Sequence, residues 1–590
     1  MNVPTTMKHT VTTIAVLLLA ALPAPLLLGA EPDTAPAQAA LKGRTQAPQT
    51  FAFETYAGRA YNCLENMVDK DGMPYFNIFW TDPAEACHER GVDSPDVASR
   101  MWEASIMARH MTGREGRNEK ILGKNALRFL SPETGLVVPG TGFLGFSQGT
   151  SLHAVASGYA DSKAPALQEL IRKTADNLPG TFGIKDQWRA VPIKSLMNCA
   201  RVANYPAAAE YAGKLVHGSS LLGNPDNKKF GGHMHAGLRI LSGAADYALY
   251  RKDTALFDQV NAIYRDVQTI PGARFGWLPE VAYRGDDLVG CETCAVMDFV
   301  GLATTLANNG HPQYWGDVER IVRNQLTENQ VGDGSWLKPG DQPDTATSSW
   351  RDVGSRMVGG FAGWSSPTHT LAFCEGGMGK TKVRAFQNCC AGAGVHAFYI
   401  AWKSASRFEN GVLSVNMHFD KLLPQAEIRC YQPYQGYLSI ALKEACKVRV
   451  RVPDFVEARD IKVRSNKGEV KAAVENGYLE LGPRQAGDKI EVTYPVPVKE
   501  EEIAIGNPKH RQYHYRVMWK GDTVVRMTPI GEQYQTGYSD GMKKDVECFY
   551  GEEGPGRLYQ REYMLKDVTP ALAPLHADDG SFDFWQLHAR

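Results

Sequence analysis

The chain from about residue 51 to residue 407 carries apolar residues at helical spacing. One stripe follows Ser94-Pro95-Asp96, where Ser94 suits a helix cap and Pro95 the first turn. Short turns such as Arg251-Lys252-Asp253 separate the stripes. Further stripes run over Leu238 to Leu249, Leu256 to Val267, Ala295 to Leu306 and Val318 to Leu326. So many antiparallel helix pairs in one stretch predict a helical toroid rather than a small bundle.

Past residue 408 the pattern changes from helical spacing to alternation. Lys447 to Val452 alternates strictly, and Asn410-Gly411 and Asn476-Gly477 are hairpin signals flanked by alternating runs. We therefore predict a β-sandwich over residues 408–500, and a second β-sandwich or a β extension over residues 501–590. The acidic stretch from Lys499 to Glu502 is the predicted join between them.

The N-terminus has the pattern of an export signal. Lys8 and His9 precede an apolar run from Val11 to Leu28, and Leu28-Gly29-Ala30 suits a cleavage site. We predict a signal peptide over residues 1–30, a flexible spacer over residues 31–50, and a periplasmic or secreted mature protein. The alternative is an uncleaved membrane anchor, which prolines within the apolar run disfavour. We expect no stable membrane association after cleavage.

Composition and charge narrow the class of partner. The 590 residues are 43% hydrophobic and 22% charged, which is typical of a soluble globular protein with several domains. With 64 basic against 65 acidic residues, the formal net charge is -1, and there is no polybasic run. We therefore expect no nucleic acid as a partner. No feature of the sequence indicates an oligomeric state.

The cysteines are unevenly distributed. Of eleven, five lie between Cys291 and Cys390, and the odd total leaves at least one outside intrachain disulfides. Thiolates and the carboxylate of Glu292 are suitable zinc ligands. A disulfide between the neighbours Cys389 and Cys390 is disfavoured, because a trans peptide holds their Cα atoms about 3.8 Å apart. A Cys291–Cys294 disulfide and buried free thiols remain alternatives to zinc.

Three short motifs together resemble glycoside hydrolase family 127, the β-L-arabinofuranosidases. They are Glu292-Thr293-Cys294, the Cys389-Cys390 pair in a glycine-rich turn, and His235 to Arg239 ahead of Gly243-Ala244-Ala245-Asp246. The resemblance is best between Gly231 and Gly394. It implies a multidomain α plus β fold, in which an (α/α)6 helical toroid over residues 51–407 precedes one or two C-terminal β-sandwich domains.

The resemblance also implies roles for particular residues. Cys389 corresponds to the nucleophile, and Glu292, Cys294, Cys389 and Cys390 correspond to the ligands of a Zn²⁺ ion. Glu280 corresponds to the acid/base, although Pro279 precedes it where the family usually has glycine. The alternative for Glu280 is a non-catalytic role as a solvated loop carboxylate. Cys291, beside the Glu-Thr-Cys triplet, is either a rival ligand or an inert neighbour.

Four further residues are candidate substrate contacts. By resemblance His235 contacts a sugar hydroxyl, and His233, two residues earlier, is proposed to serve likewise. His153 is a weaker candidate, and Trp277 precedes Glu280 by three residues, where an indole suits sugar stacking. The alternative for each is an ordinary capped or core residue.

The leading prediction is an exported retaining exo-glycosidase that releases β-L-arabinofuranose or a similar sugar from plant or algal glycans. Its partner is then an oligosaccharide or polysaccharide. A second interpretation keeps the toroid but uses paired carboxylates, such as Asp93 with Asp96 or Glu280 with Asp286. A third is a non-catalytic carbohydrate-binding protein with a structural zinc.

Overall fold

The computed structural model describes most of the chain after the N-terminal region. The described residues are 48–88, 94–139, 141, 144–181, 190–282, 290–368, 383–507, 511–528, 534–536, 546–548, 559 and 561–584. The predicted signal peptide and nearly all of the predicted spacer lie outside them. Of the helices described, none has both the length and the apolar character needed to cross a bilayer.

Twelve helices of the described chain form two rings in the N-terminal part, and a further short helix, Val353–Met357, lies outside this numbering. In chain order they are α1 (Phe53–Asn66), α2 (Ser94–Thr112), α3 (Glu119–Leu127), α4 (Leu144–Ser162), α5 (Pro165–Asn177), α6 (Ile193–Val202), α7 (Pro206–Gly218), α8 (Met234–Arg251), α9 (Thr254–Gln268), α10 (Thr293–Asn308), α11 (Trp315–Ile321) and α12 (Asn388–Ala405). Helix α11 continues through a π-helical turn, Val322–Leu326, into Thr327–Asn329.

Even-numbered helices form an inner ring and odd-numbered helices cover it. Each inner helix contacts the next, from α2 through α4, α6, α8, α10 and α12 back to α2, so the ring is closed. Residues Thr293 to Ala307 of α10 are buried all round, whereas α9 buries one stripe that includes Val260 and Ile263. This difference is expected between a helix enclosed by neighbours and one facing solvent. The predicted (α/α)6 toroid is confirmed.

The glycines after the cysteine pair are helical, which corrects the predicted glycine-rich turn. Cys389 and Cys390 lie in the first turn of α12, and the helix continues through Gly392 and Gly394. A Cβ at Gly392 would lie 2.8 Å from the backbone oxygen of Arg100. The glycines therefore allow α12 to pack closely against α2 and its other neighbours, despite their low helix propensity.

Three small sheets accompany the helices. One contains β1 (Asn77–Trp80), β2 (Glu85–Cys87), β5 (Ser348–Ser349) and β6 (Val383–Gln387) in the order β5-β2-β1-β6. Another pairs β3 (Gly232–His233) with β4 (Val281–Ala282), although α8 and α9 lie between these two strands in the chain. A separate two-stranded pair, β21 (Tyr534–Thr536) and β22 (Val546–Cys548), lies late in the chain. Strand β6 leads directly into α12, whose first turn contains the cysteine pair, and β4 begins directly after Glu280. These strands therefore help to position Cys389, Cys390 and Glu280.

A β-sandwich follows α12 directly. Its strands are β7 (Ser406–Glu409), β8 (Val412–Val415), β9 (Lys421–Leu422), β10 (Ala426–Cys430), β11 (Tyr437–Leu442), β12 (Cys446–Arg451), β13 (Lys462–Ser465), β14 (Gly468–Glu469), β15 (Ala473–Glu475), β16 (Tyr478–Arg484) and β17 (Lys489–Thr493). They form a sheet ordered β14-β13-β17-β11-β10-β9 and a sheet ordered β15-β16-β12-β8-β7. Inward residues such as Ile428, Ile440, Val450 and Ile490 form one apolar core.

Beyond the sandwich, the described residues form a β extension, which was one of the two predicted alternatives, and not a second two-sheet sandwich. Strands β18 (Val498–Asn507), β19 (Arg511–Lys520) and β20 (Thr523–Thr528) form one antiparallel sheet whose apolar residues join the core of the helical part. The acidic stretch predicted as a join lies inside β18. Two of its glutamates are paired there, since Arg274 contacts Glu501 at 2.6 Å and Arg526 contacts Glu500 at 3.1 Å.

Residues 561–584 return to the helical ring. Phe582 and Phe584 are buried in its core, and Phe584 packs against His153 with ring centroids 4.8 Å apart. Tyr399 of α12 donates a hydrogen bond to the carbonyl oxygen of Phe582 at 3.0 Å. The C-terminal segment therefore packs against α4 and α12 of the inner ring.

Asp578 anchors this segment to two other elements. Its carboxylate pairs with Lys403 of α12 at 2.8 Å and with Lys421 of β9 at 2.9 Å. Burial alone would raise the pKa of Asp578, but the two lysines lower it to about 2. Because this is below the unfolded value near 3.9, the pair stabilises the fold above about pH 4 and the contribution is lost as the pH falls towards 2.

We expect Asp578→Asn to lower the free energy of unfolding at pH 7 by about 2 kcal/mol, since a buried ion pair is broken. Urea unfolding from pH 7 to pH 2 measures this, and the difference from wild type should shrink between pH 4 and pH 2. Asp579→Asn, at an exposed neighbouring position, is the control. An equal effect of both substitutions, or a difference that persists at pH 2, would contradict the assignment.

Candidate active site

Two helix N-termini bring four predicted ligands together. Glu292 caps α10 and Cys294 lies in its first turn, while Cys389 and Cys390 lie in the first turn of α12. One ligand atom from each residue lies within 4.8 Å of the others. The two helices begin at the same end of the ring, so their positive dipole ends favour negative charge here. We refer to these four residues as the cysteine cluster.

The sulfurs of the cluster are free thiols rather than disulfides. The Sγ atoms of Cys294 and Cys390 are 3.5 Å apart, far beyond the roughly 2.05 Å of a disulfide. Cys291 lies outside the cluster, because its Sγ accepts a hydrogen bond from the backbone N–H of Leu278 at 3.5 Å. Burial raises the pKa of Cys291 to about 12, as expected for an inert core thiol.

Within the cluster, negative charge is favoured most strongly on Cys389. Hydrogen bonds from the thiols of Cys294 and Cys390 lower the pKa of Cys389 well below its usual range, and Arg100 and His235 add to this. Burial raises the pKa of the Cys294 and Cys390 thiols themselves. Cys389 is also 6% exposed, whereas Cys294 and Cys390 are 0% exposed. It is therefore the thiol that a ligand can reach.

Glu292 contains a buried acceptor that lacks a donor among the described residues. Its Oε2 has no hydrogen-bond partner, and burial raises the pKa of the carboxyl well above its usual range. A buried carboxylate without a partner is costly. A cation held between Glu292 and the three sulfurs would remove this cost, and this donor set suits zinc.

Glu280 lies beside the cluster. His233 Nε2 is 3.4 Å from Glu280 Oε1, and the ligand atoms of His233, Glu280 and Glu292 lie within 4.8 Å of one another. The carboxylate is 4% exposed and accepts a hydrogen bond from Trp364 Nε1 at 3.1 Å. The antiparallel pairing of β3 with β4 fixes this arrangement, since it places His233 opposite Val281. Glu280 is thus a buried group of the site and not a solvated loop carboxylate.

His235 is near the cluster, but protein groups occupy both of its ring nitrogens. Its Nδ1 contacts Asp298, and its Nε2 is 3.0 Å from Arg100 Nη2. Phe146 stacks on the ring at 4.9 Å. In this arrangement His235 positions Arg100 and has no ring nitrogen left over for a sugar hydroxyl. His233 is the histidine that directly contacts the candidate acid/base.

His153 and Trp277 lie in other surroundings. His153 contacts Glu103 at 2.7 Å and Asn198 at 2.9 Å, in a buried polar group with His396. His396 follows Cys390 by six residues, which is about 9 Å along a helix. Trp277 is 1% exposed and its indole N–H donates to the carbonyl of Ser365 at 2.8 Å. The structure therefore assigns both to the buried interior.

Each carboxylate pair of the second interpretation has one member, Asp93 or Asp286, that lies outside the described residues. Asp96 is committed to Arg100, whose Nε lies 3.1 Å and 3.0 Å from its two oxygens, and to the hydroxyl of Thr150 at 2.6 Å. The carboxylate next to Glu280 is Glu292, a member of the cysteine cluster.

Three site residues were missed by the sequence analysis: Arg100, Asp298 and Trp364. The spacing of Asp96 and Arg100, four residues apart on a predicted helix, was a signal for an ion pair. Asp298 follows Cys294 by one turn, which places both on the same helix face. No pattern indicated Trp364, whose contact with Glu280 depends on how distant loops fold together.

Comparison with known proteins gives a likeness in structure. No family model and no curated protein matches the sequence. The structure of a family 127 β-L-arabinofuranosidase from Geobacillus stearothermophilus T6 matches with a TM-score of 0.55 and 14% identity, covering 84% of this chain and 83% of that one. The chain shares that fold.

Two further solved structures agree with this likeness. A family 127 β-arabinofuranosidase matches with a TM-score of 0.53 over 82% of this chain and 84% of that one, and a glycoside hydrolase with 0.51 over 78% and 85%. Both are 14% identical to this chain. The resemblance predicted from the short motifs is therefore confirmed at the level of fold.

Proposed function

We propose that this protein is an exported retaining glycoside hydrolase in which Cys389 is the nucleophile and Glu280 the acid/base. The observation that carries the proposal is the cysteine cluster with Glu280 beside it. The fold shared with family 127 structures supports the same class of reaction. Export is supported by the apolar run from Val11 to Leu28.

The cysteine cluster fits a zinc ion. Three sulfurs and one carboxylate form a four-ligand set of the type zinc prefers. The Sγ separation of 3.5 Å between Cys294 and Cys390 is close to the value of about 3.8 Å expected for two sulfurs of a tetrahedral zinc site. The partnerless Oε2 of Glu292 supplies the remaining donor. Bound zinc would keep the thiols deprotonated at neutral pH.

The residues then divide the reaction into two displacements. In the first, Cys389 Sγ forms a bond to the anomeric carbon, and the leaving oxygen takes the bonding electrons and a proton from Glu280. In the second, Glu280 accepts a proton from water as the water oxygen attacks the anomeric carbon, and the C–S bond breaks to restore the thiolate. Two inversions give net retention of configuration.

We propose β-L-arabinofuranose, or a sugar of similar shape, as the residue released from plant or algal glycans. The names of the matching structures support this sugar. Strong burial around the cluster, with Cys389 6% and Glu280 4% exposed, suits a pocket for one terminal sugar rather than an open cleft. The enzyme would then act from chain ends.

Zinc content tests the proposal. We expect one zinc per chain in the purified protein and hydrolysis of an aryl β-L-arabinofuranoside, and we expect Cys390→Ser to lose both. Cys199→Ser is a matched control, because Cys199 is a fully buried thiol on α6 outside the cluster. No zinc after reduction and reloading would contradict the proposal, as would equal zinc in wild type and Cys390→Ser.

A further inference from the structure

Arg100 connects the cysteine cluster to three inner helices. It lies on α2, is 6% exposed, and its Nη1 is 3.7 Å from the Sγ of Cys294 on α10. Its Nη2 is 3.0 Å from Nε2 of His235 on α8. Arginine is a donor only, so both contacts place an N–H group on an acceptor.

The hydrogen-bond chain fixes the protonation of His235. Because Arg100 donates to Nε2, that nitrogen carries the lone pair and the ring proton is on Nδ1. The Nδ1–H then points to Asp298, its contact on α10. The imidazole is therefore a neutral link that orients the guanidinium through a carboxylate behind it.

The Nε side of the Arg100 guanidinium is also held by hydrogen bonds. Asp96, one turn earlier on α2, accepts from Nε with both oxygens, and Thr150 of α4 donates to Asp96 at 2.6 Å. With its Nε and Nη2 groups engaged, Arg100 has little freedom to rotate away from Cys294. The side chain is thus preorganised towards one sulfur of the cluster.

We propose that Arg100 is a positioning residue that holds Cys294 as an anionic metal ligand and leaves Cys389 as the reactive thiolate. The inference rests on the proposed zinc site. Three thiolates and a carboxylate around a divalent cation leave an excess of negative charge, which is costly when buried. A charge-assisted N–H···S bond to Cys294 offsets part of this negative charge and lowers the nucleophilicity of the Cys294 sulfur. Cys389, which is 6% exposed, stays accessible.

Zinc affinity of the full chain, measured by competition with a chromophoric chelator, tests this. We expect Arg100→Gln, which removes the charge, to bind zinc about 10- to 100-fold more weakly, the range for residues that support metal ligands. Arg100→Lys, which keeps the charge, should stay nearer to wild type. The sulfur-to-metal absorption band of the Co²⁺-loaded protein should shift in Arg100→Gln, because one thiolate loses its donor.

Arg323→Gln is the matched control. Arg323 is also buried and also pairs with a carboxylate four residues earlier, Glu319, but it lies on the outer layer. The zinc affinity of the Arg323→Gln variant should equal that of wild type. If folded Arg100→Gln kept the zinc affinity of wild type, or if Arg323→Gln lost as much affinity, this inference would be wrong. The proposed function would not be affected by either result.

Two other results are also decisive. Wild-type protein that binds no zinc would overturn both this inference and the proposed function. If Arg100→Gln fails to fold, Arg100→Met takes its place, because methionine replaces the apolar stem of arginine without its charge. Wild-type zinc affinity in folded Arg100→Met would then overturn the inference.

Discussion

Replacing Cys389 by serine is expected to lower kcat/KM on an aryl β-L-arabinofuranoside by about 10⁴-fold or more, equivalent to at least roughly 5 kcal/mol of barrier. The substitution changes one atom, so packing should be little affected, but it also replaces one of the three proposed sulfur ligands of the zinc. A serine hydroxyl is far less acidic than a thiol, however, and it is a poor substitute for a thiolate nucleophile. Steady-state kinetics with matched protein concentrations measure the loss.

Cys291→Ala is the control for this substitution. Cys291 is as buried as the cluster and lies only one residue before Glu292, but its thiol contacts backbone groups, including the N–H of Leu278, and it does not belong to the cluster. We expect its activity to stay close to wild type. If Cys389→Ser retained activity within tenfold of wild type, the nucleophile would be another group and the thiolate mechanism would be wrong.

Glu280→Gln is expected to have the second-largest effect, a loss of about 10²- to 10⁴-fold, the usual contribution of a general acid or base. The amide preserves size and can keep the contacts with Trp364 and His233, but it cannot exchange a proton. The rate of the first displacement should fall most for substrates with poor leaving groups. It should fall little for a dinitrophenyl glycoside, because dinitrophenolate leaves without a proton. A series of aryl glycosides of different leaving-group pKa measures this dependence.

Glu85→Gln separates the catalytic effect from the cost of altering a buried glutamate. Glu85 is 6% exposed and accepts a hydrogen bond from Ser348 at 2.6 Å, on the β2–β5 pair. Its substitution should leave the leaving-group dependence unchanged. A Glu280→Gln enzyme with the same loss for every leaving group would contradict the role of Glu280 as the acid.

Local signals in the sequence predicted much of the fold. Helix α2 begins at Ser94, the predicted start, and α9 covers the predicted stripe from Leu256 to Val267. Asp253 caps α9 by accepting from the backbone N–H of Leu256 at 3.0 Å. The hairpin signal Asn410-Gly411 joins β7 to β8, with φ angles of 51° and 75° that asparagine and glycine tolerate. These features depend on neighbouring residues, so a sequence alone specifies them.

The less predictable features depend on packing between distant segments. The glycines of α12 resemble a turn until α2 is seen to lie against them, at 2.8 Å from a Cβ built on Gly392. The pairing of His235 with Arg100 and Asp298 depends on the register of three helices around the ring. Trp277 and His153 were reasonable substrate contacts by residue type, but only the fold shows that core groups surround them.

The acidic stretch at the predicted join illustrates the same limit. A run of glutamates usually indicates a solvated linker. In β18, Glu501 accepts from the indole of Trp519 at 2.7 Å and pairs with Arg274, which lies more than two hundred residues earlier. Partners so far apart in sequence are not visible in a local pattern.

Mass spectrometry of a trapped intermediate tests the central claim most directly. Glu280→Gln, given a dinitrophenyl glycoside, should complete the first displacement without acid but stall at the second, which needs a base. The account predicts one added sugar per chain, located on Cys389 after proteolysis and absent from the Cys389→Ser, Glu280→Gln double variant. A sugar on a carboxylate, or an adduct that persists in the double variant, would contradict it.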